Sequence, residues 1–163
     1  MSTKILVDGE GLAEVEVVEV PLGGSLKDVV VRIAEKAGAN HEEFAIFIED
    51  EGEPLDVTIL VHEHAHQRKV HHVHRCKEIK VTVNYQAVPE HHRFPPATRI
   101  EKVLHWAVKK FKIDPTIAPE MALALTGTVN ELPGGAHIGR YAKHDHCSVE
   151  LDLIRGDIHQ GRN

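Results

Sequence analysis

Apolar residues recur along the chain with two different periods, and the whole sequence of periods occurs twice. Lys4 to Gly9 reads as a strand closed by the turn Asp8-Gly9-Glu10-Gly11, a hairpin signal between apolar runs. Leu12 to Val20 alternates in part, with Val15, Val17 and Val20 set against Glu14, Glu16 and Glu19, and it ends at Pro21. After Gly23-Gly24 the period changes to three and four residues. Leu26, Val29, Val30, Ile33, Ala34 and Ala37 make one helical face, Ser25-x-x-Asp28 is a capping box at its start, and Gly38 is a stop. Phe44 to Ile48 predicts a third strand, and Leu55 a very short one. Lys69 to Arg75 predicts a last strand, in which Val70 and Val73 stand among histidines. Val57 to Val61 is an apolar run too short to type.

The order then returns. Ile79, Val81 and Val83 alternate with Lys80, Thr82 and Asn84, and a strand around His91 to Phe94 follows a turn near Gln86. Pro95-Pro96 breaks the strand and Thr98-x-x-Glu101 reads as a second capping box. Ile100, Val103, Leu104, Ala107, Val108 and Phe111 form the second helical face, and Pro115 closes the element. Met121 to Leu125 predicts a strand, Glu131 to Pro133 a short extended piece, and Ile138 to Lys143 one helical turn. Cys147 to Ile154 is the final strand, with Val149, Leu151 and Leu153 on one side and Ser148, Glu150 and Asp152 on the other. Each half is strand, strand, helix, strand, short strand, strand. One helix covers one face of a four- to five-stranded mixed sheet, so the expected class is α+β with two tandem two-layer domains. The expected division is residues 1–75, residues 76–156, and a polar extension from Asp157 to Asn163 with no apolar period.

Composition narrows the function classes. Of 163 residues, 42% are hydrophobic and 27% charged, an ordinary globular balance, and the net charge of -6 disfavours a sequence-independent grip on nucleic acid. No apolar run approaches the roughly 18 residues that span a bilayer, and the N-terminus reads as entering a strand rather than a signal peptide. With no secretory mark, Cys76 and Cys147 read as free thiols in a reducing, cytoplasmic compartment, with a pair left open.

The 14 histidines are the compositional oddity. His62-Glu63-His64-Ala65-His66 satisfies H-E-x-x-H, and His72 follows at the spacing of a third ligand, so His62, His66 and His72 with Glu63 imitate a zinc-peptidase site. The turn glycine of that motif is absent, since Lys69 stands there, and no long amphipathic helix carries it, so a solvated loop is the expected state. Chance metal binding by His62, His64 and His66 needs no catalysis. His71, His72 and His74 are expected on an exposed strand face, where imidazoles would make an interface between the halves pH-sensitive. His91-His92 and His144-x-His146 are expected at the surface, and Trp106 partly in the core.

The element order, the short junction Arg75-Cys76-Lys77, the stretch His74 to Tyr85, Leu125-Thr126-Gly127 and the strand Leu151 to Ile154 running into Arg155-Gly156 together resemble ubiquitin-type β-grasp modifiers. They resemble most the bacterial tandem ubiquitin-like modifiers of the Bil antiphage operon, akin to the interferon-induced tandem modifier of eukaryotes. The resemblance implies a modifier precursor that is not itself an enzyme and holds no cofactor. A JAB-type deubiquitinase-like peptidase would cut after Gly156. A ubiquitin-activating-like enzyme would adenylate the Gly156 carboxylate, and a ubiquitin-conjugating-like enzyme would pass it to an amine of a phage structural protein. Ile154 and Arg155 would be read as tail. Glycine at 156 also suits narrow enzyme channels, because a missing Cβ allows close backbone approach. The chain departs from ubiquitin in having one terminal glycine, and in Ala124 and Asp152 at positions where the reader-binding patch of ubiquitin is aliphatic. Gly161 is a competing terminus that follows no strand. The first half ends at Arg75-Cys76 without glycine and is expected to be internal.

Overall fold

The computed structural model describes residues 1–156 as two four-stranded mixed sheets, each covered on one face by a helix. The proposed extension and Gly161 lie outside the described residues. In the first half, β1 (Ser2–Gly9), β2 (Glu16–Pro21), β3 (Ala45–Ile48) and β4 (His71–His74) are ordered β2-β1-β4-β3, under α1 (Leu26–Ala37). In the second, β5 (Ile79–Tyr85), β6 (Val88–Phe94), β7 (Met121–Leu125) and β8 (Ser148–Arg155) repeat that order as β6-β5-β8-β7, under α2 (Ile100–Lys110). In both halves the first and last strands run parallel at the centre and the other pairs are antiparallel. This is the β-grasp arrangement, and it bears out the expected class with four strands in each sheet.

Each sheet has its own core. Ile5, Val7, Val18, Val20, Ile46 and Val73 face Leu26, Val29, Val30, Ile33 and Ala34 of α1, while Ala37 is exposed. Ile79, Val81, Val83, Leu123, Val149, Leu151 and Leu153 face Ile100, Val103 and Ala107 of α2. Each fully buried aliphatic side chain contributes about 1.5–3 kcal/mol. The face expected of β2 is out of phase. Leu6 pairs with Val17 and Ile5 with Val18, so Val18 and Val20 turn inward and Val17 outward. A run of two valines leaves that phase to the register of the partner strand. Leu55 makes a single ladder-like bond, donating to the Ile46 carbonyl at 2.8 Å, and no strand forms there.

The helix starts show how the two halves correspond. At α1, Asp28 accepts from the Ser25 amide at 3.0 Å, the return arm of the expected capping box. The Leu26 and Lys27 amides go to the carbonyls of Ile59 and Val57, both at 2.9 Å. At α2 the Ile100 and Glu101 amides go to Ala136 and Gly134 at 2.8 and 3.0 Å. The second cap is therefore Arg99, and the expected Thr98 box does not form; Thr98 is buried and its carbonyl accepts from Ile138 at 2.8 Å. The backbone of the 134–136 loop supplies what the hydroxyl would have supplied. The bridges Ser25 to Leu60 and Arg99 to His137 complete the match, so the turn Val61–Glu63 corresponds to the turn Ile138–Tyr141.

Cys76 and Cys147 are joined, with sulfurs 2.01 Å apart, which corrects their reading as free thiols. Hairpin geometry does not bring them together. Cys76 precedes β5, Cys147 precedes β8, and the parallel pairing of those strands sets the two cysteines side by side. The bond closes a loop across 71 residues, for which loop entropy gives about 4 kcal/mol and measured bridges commonly give about 2–4 kcal/mol. Reduction, or Cys147→Ser, is expected to lower stability by about 2–4 kcal/mol, read as a shift of the urea unfolding midpoint with and without reductant.

Candidate functional site

β8 is central in its sheet, pairing Lys80 through Asn84 of β5 on one side and β7 on the other. It therefore carries a rigidly placed end. Arg155 lies opposite Met121, and its guanidinium donates to Glu120 Oε1 at 2.6 Å while the side chain stays half exposed. The Gly156 amide donates to the Glu120 carbonyl at 2.5 Å, and Gly156 itself is buried. A Cβ at 156 would press on the Glu131 carboxylate, the movable end of a side chain, and would lie 3.1 Å from the Glu120 carbonyl oxygen. Ile154 is half-buried beside Ala122. The expected tail residues thus form one continuous piece of chain laid against the start of β7.

The corresponding end of the first half is tied down. Arg75 donates through Nη2 and Nε to the two oxygens of Glu10, at 2.5 and 3.1 Å, and its guanidinium lies 5.0 Å above the Phe44 ring. Cys76 follows in the disulfide. Burial raises the Glu10 pKa, but the Arg75 bonds and the nearby His74 outweigh it and hold the carboxylate below its ordinary range. Nothing at this end resembles a releasable tail.

On the second sheet, Ala124 is fully buried and pairs with Asp152. The Asp152 carboxylate accepts from Thr126 Oγ1 at 3.1 Å, the Gly127 amide at 3.3 Å and Asn84 Nδ2 at 3.4 Å. An apolar patch of the ubiquitin kind is not built at these two positions.

The zinc-peptidase imitation is not assembled. H-E-x-x-H needs two histidines one helical turn apart, and here the segment forms only the short turn Val61–Glu63. His62 and His66 are exposed, and Glu63 stands 3.6 Å from His62. His64 turns inward, its Nε2 2.9 Å from Nε2 of His71, whose Nδ1 donates to the Lys69 carbonyl at 2.8 Å. His72 points away from all of them.

That last point corrects the expected exposed histidine face. Asp8, His72 and Phe47 form one row across the outer face of the first sheet, and all three are buried. The second half covers them. His72 Nδ1 lies 3.0 Å from Nδ1 of His137, and His137 Nε2 donates to Glu49 Oε1 at 2.8 Å. His74 Nε2 donates to the Gly139 carbonyl at 2.9 Å. Arg140 holds the Asp8 carboxylate with two bonds, Nε to Oδ1 and Nη2 to Oδ2, both 3.0 Å. At the other end of the seam Asp50 accepts from the Arg99 amide and Nε at 3.0 and 2.6 Å, and Glu10 pairs with His144 at 3.0 Å. Gly139 is required there, because a Cβ would press on the His72 ring and come within 2.8 Å of Pro96 Cβ. Burial drives the His72 pKa well down, with His137, His74 and Arg140 adding to it. Burial likewise lowers His74, and lowers His71 to about 4. These three rings are neutral at neutral pH, so the pH-sensitivity expected of them does not fall near physiological pH.

Asp8, Glu10, Glu49, Asp50, His137 and Arg140 escaped the sequence reading. The available signal was the segment Ala136 to Ala142, whose mixture of histidine, arginine and small residues fits neither a strand nor an amphipathic helix. His91 pairs with Thr82 at the surface, His92 leans on Phe94 and Trp106, and Trp106 is half-buried against the second core, as expected. Among the described residues no helix is long and apolar enough to cross a membrane.

Two β-grasp units in tandem, the second ending in an exposed arginine followed by Gly156, define a ubiquitin-like protein of tandem type. Its second half is of a particular kind, since residues 80–156 match the family model of BilA ubiquitin-like domain 2. Over 83 residues the chain is 36% identical to the bacterial ubiquitin-like protein BilA of Collimonas sp. (strain OK412), a region that is 51% of each chain. The chain is thus similar to bacterial BilA ubiquitin-like proteins, and the match spans about half the length of that relative. Among solved structures it is similar to Caldiarchaeum subterraneum ubiquitin, with 13% identity, 48% of this chain and 92% of that chain covered, and a TM-score of 0.38. It is also similar to an N-terminal ubiquitin-like domain in solution, with 11% identity, 48% and 74% covered, and a TM-score of 0.37. The fold assignment rests on strand order and register rather than on these weak likenesses.

Removing Arg140 leaves the Asp8 carboxylate, 1% exposed, without its cation, a loss that typically costs about 3–5 kcal/mol. Arg140→Met is expected to destabilise the chain by that amount in urea unfolding. Arg140→Lys should restore only part of it, because lysine cannot make the paired contacts.

Proposed function

We propose that the chain is a modifier precursor, cut after Gly156 and conjugated through the Gly156 carboxylate to target amines in bacterial antiphage defence. In this reading residues 1–75 are an internal ubiquitin-like domain and residues 76–156 the conjugating one. The observation that carries it is the coincidence of three ends. The BilA-type match stops at 156, β8 stops at Arg155, and the first glycine after the strand is Gly156. The tied-down Arg75-Cys76 end supports a single reactive terminus for the tandem pair.

The partners are those of modifier chemistry. A JAB-type peptidase releases Asp157 to Asn163, and an activating-like enzyme forms an adenylate and then a thioester at Gly156. A conjugating-like enzyme delivers the modifier to a phage structural protein. ATP-dependent activation places this cycle in the cytoplasm, and the chain is a substrate of enzymes rather than an enzyme. Arg155 supplies a directional charge for tail recognition, and an extended tail can add to an enzyme's sheet edge.

Co-expression with a JAB-type peptidase followed by intact-mass measurement tests the reading. Loss of Asp157 to Asn163 is expected, and Gly156→Asp should block it. The new side chain meets the Glu131 carboxylate and lies 3.1 Å from the Glu120 carbonyl oxygen, so the variant is expected to lose about 0.5–3 kcal/mol, and urea unfolding checks that it is still folded when the cut is assayed. Equal products from both forms, cut or uncut, would overturn the assignment of Gly156. A cut protein that forms no thioester with the activating enzyme would reduce it to a non-conjugated interaction module.

A further inference from the structure

We propose that Asp8, His72 and His137 form a divalent transition-metal site, of the zinc class, that clamps the two halves together. Asp8 and His72 come from neighbouring central strands of the first sheet, and His137 from the turn that the second half lays over them. Their ligand atoms lie within 4.8 Å of one another and all three residues are buried. The set is distinct from the H-E-x-x-H segment, although His72 is common to both.

The ring nitrogens make the case. Nδ1 of His72 and Nδ1 of His137 are 3.0 Å apart, and two lone pairs do not face each other at that distance. A proton or a metal ion lies between them. His137 Nε2 donates to Glu49 at 2.8 Å, which leaves Nδ1 bare and aimed at His72 in the neutral ring. A carboxylate holding the far nitrogen of an imidazole is the usual outer shell of a histidine metal ligand. The His72 ring is fully buried, and its Nε2 has no hydrogen-bond partner among the described residues. A buried imidazole so poorly satisfied is costly as mere packing.

Asp8 keeps a donor direction free for an ion. Its Oδ1 accepts from the Gly9 amide at 2.8 Å and from Arg140, whereas Oδ2 has Arg140 and only a long 3.4 Å approach from the His137 amide. Oδ2 is 3.9 Å from His137 Nδ1. Tetrahedral zinc with bonds of about 2.0–2.2 Å sets its ligand atoms about 3.3–3.6 Å apart; His137 Nδ1 lies 3.0 Å from His72 Nδ1 and 3.9 Å from Asp8 Oδ2, either side of that range, and all three ligand atoms fall within 4.8 Å. Charge agrees. Two carboxylates, Asp8 and Glu49, meet one guanidinium, Arg140, around the two imidazoles, an arrangement open to a further cation. The first half has Leu60 at the position of His137, so the fold itself does not call for histidine there. Nitrogen and oxygen donors with a water in fourth place suit zinc or cobalt.

The test uses the full chain, stripped with chelator, and titrates Co²⁺ by its visible absorption and Zn²⁺ by calorimetry. One equivalent is expected, with tetrahedral cobalt bands. His137→Leu should abolish it, and Glu49→Gln, which alters only the outer shell, should weaken it about 10–100-fold. The double variant His62→Ala, His66→Ala should bind like the parent. No binding by folded parent protein would overturn the site and leave a proton between the rings. Binding that survives His137→Leu, or that disappears in the double variant, would assign the metal to the exposed histidine loop. If His137→Leu does not fold, unchanged affinity in Glu49→Gln is sufficient to reject the proposal.

Discussion

The outer face of the first sheet is the constraint on which the tandem arrangement depends. A helix covers only one side of a β-grasp sheet, and the other side normally meets water. Here the row Asp8, His72 and Phe47 is sealed by the turn after His137. Phe47 belongs to neither hydrophobic core, and the rest of the row is polar. Such a face is tolerable only when its groups are partnered. Arg140 answers Asp8, Glu49 answers His137, Asp50 answers Arg99, and Glu10 is shared by Arg75 and His144. Partnered ionic seams of this kind add little net stability compared with apolar packing, but they penalise misalignment strongly. The two halves are consequently held in one orientation by geometry more than by buried area.

This seam makes the halves unequal. The first unit has covered the middle of its outer sheet face while Leu6 and Val17 stay exposed at its edge, and its final strand runs directly into a salt bridge and a disulfide. The second unit keeps a solvated outer face with Lys80, Thr82 and Glu150, and only its last strand leads to a glycine. The Ala124 and Asp152 pair on that unit is buried on one side and hydrogen-bonded on the other, so recognition there differs from that of an aliphatic ubiquitin patch.

Periodicity exposed most of the fold because each unit is a separate amphipathic problem. The inward positions of α1, α2, β5 and β8 follow from spacing alone, and Met121–Leu125 was legible to the residue. The failures share a cause, which is long-range partnering. Thr98 loses its capping role because the 134–136 backbone reaches the helix first. Val17 and Val18 exchange faces because β1 fixes the register. Cys76 and Cys147 meet because β5 and β8 are parallel neighbours. His72 and His74 looked solvent-facing because no local pattern announces that residues 65 positions later will cover them. The Arg155-Gly156 pair stood out in the sequence, whereas its contact with Glu120 did not.

That contact bears on how the proposed modifier end would be kept and released. Gly156 is held by one backbone hydrogen bond, and Arg155 by an ion pair that is largely in water. A typical hydrogen bond contributes about 0.5–1.5 kcal/mol net, and an exposed ion pair about 0–1 kcal/mol. Peeling residues 155 and 156 from β7 thus costs little beside the contacts an enzyme's sheet edge and a carboxylate partner for Arg155 would return. The strand behind them is different. Leu151 and Leu153 are core residues, and their pairing to β5 and β7 cannot be opened without unfolding the unit. The boundary between weakly held and core residues falls between Leu153 and Arg155, so the proposed cut would act on a short piece of chain ahead of a packed domain.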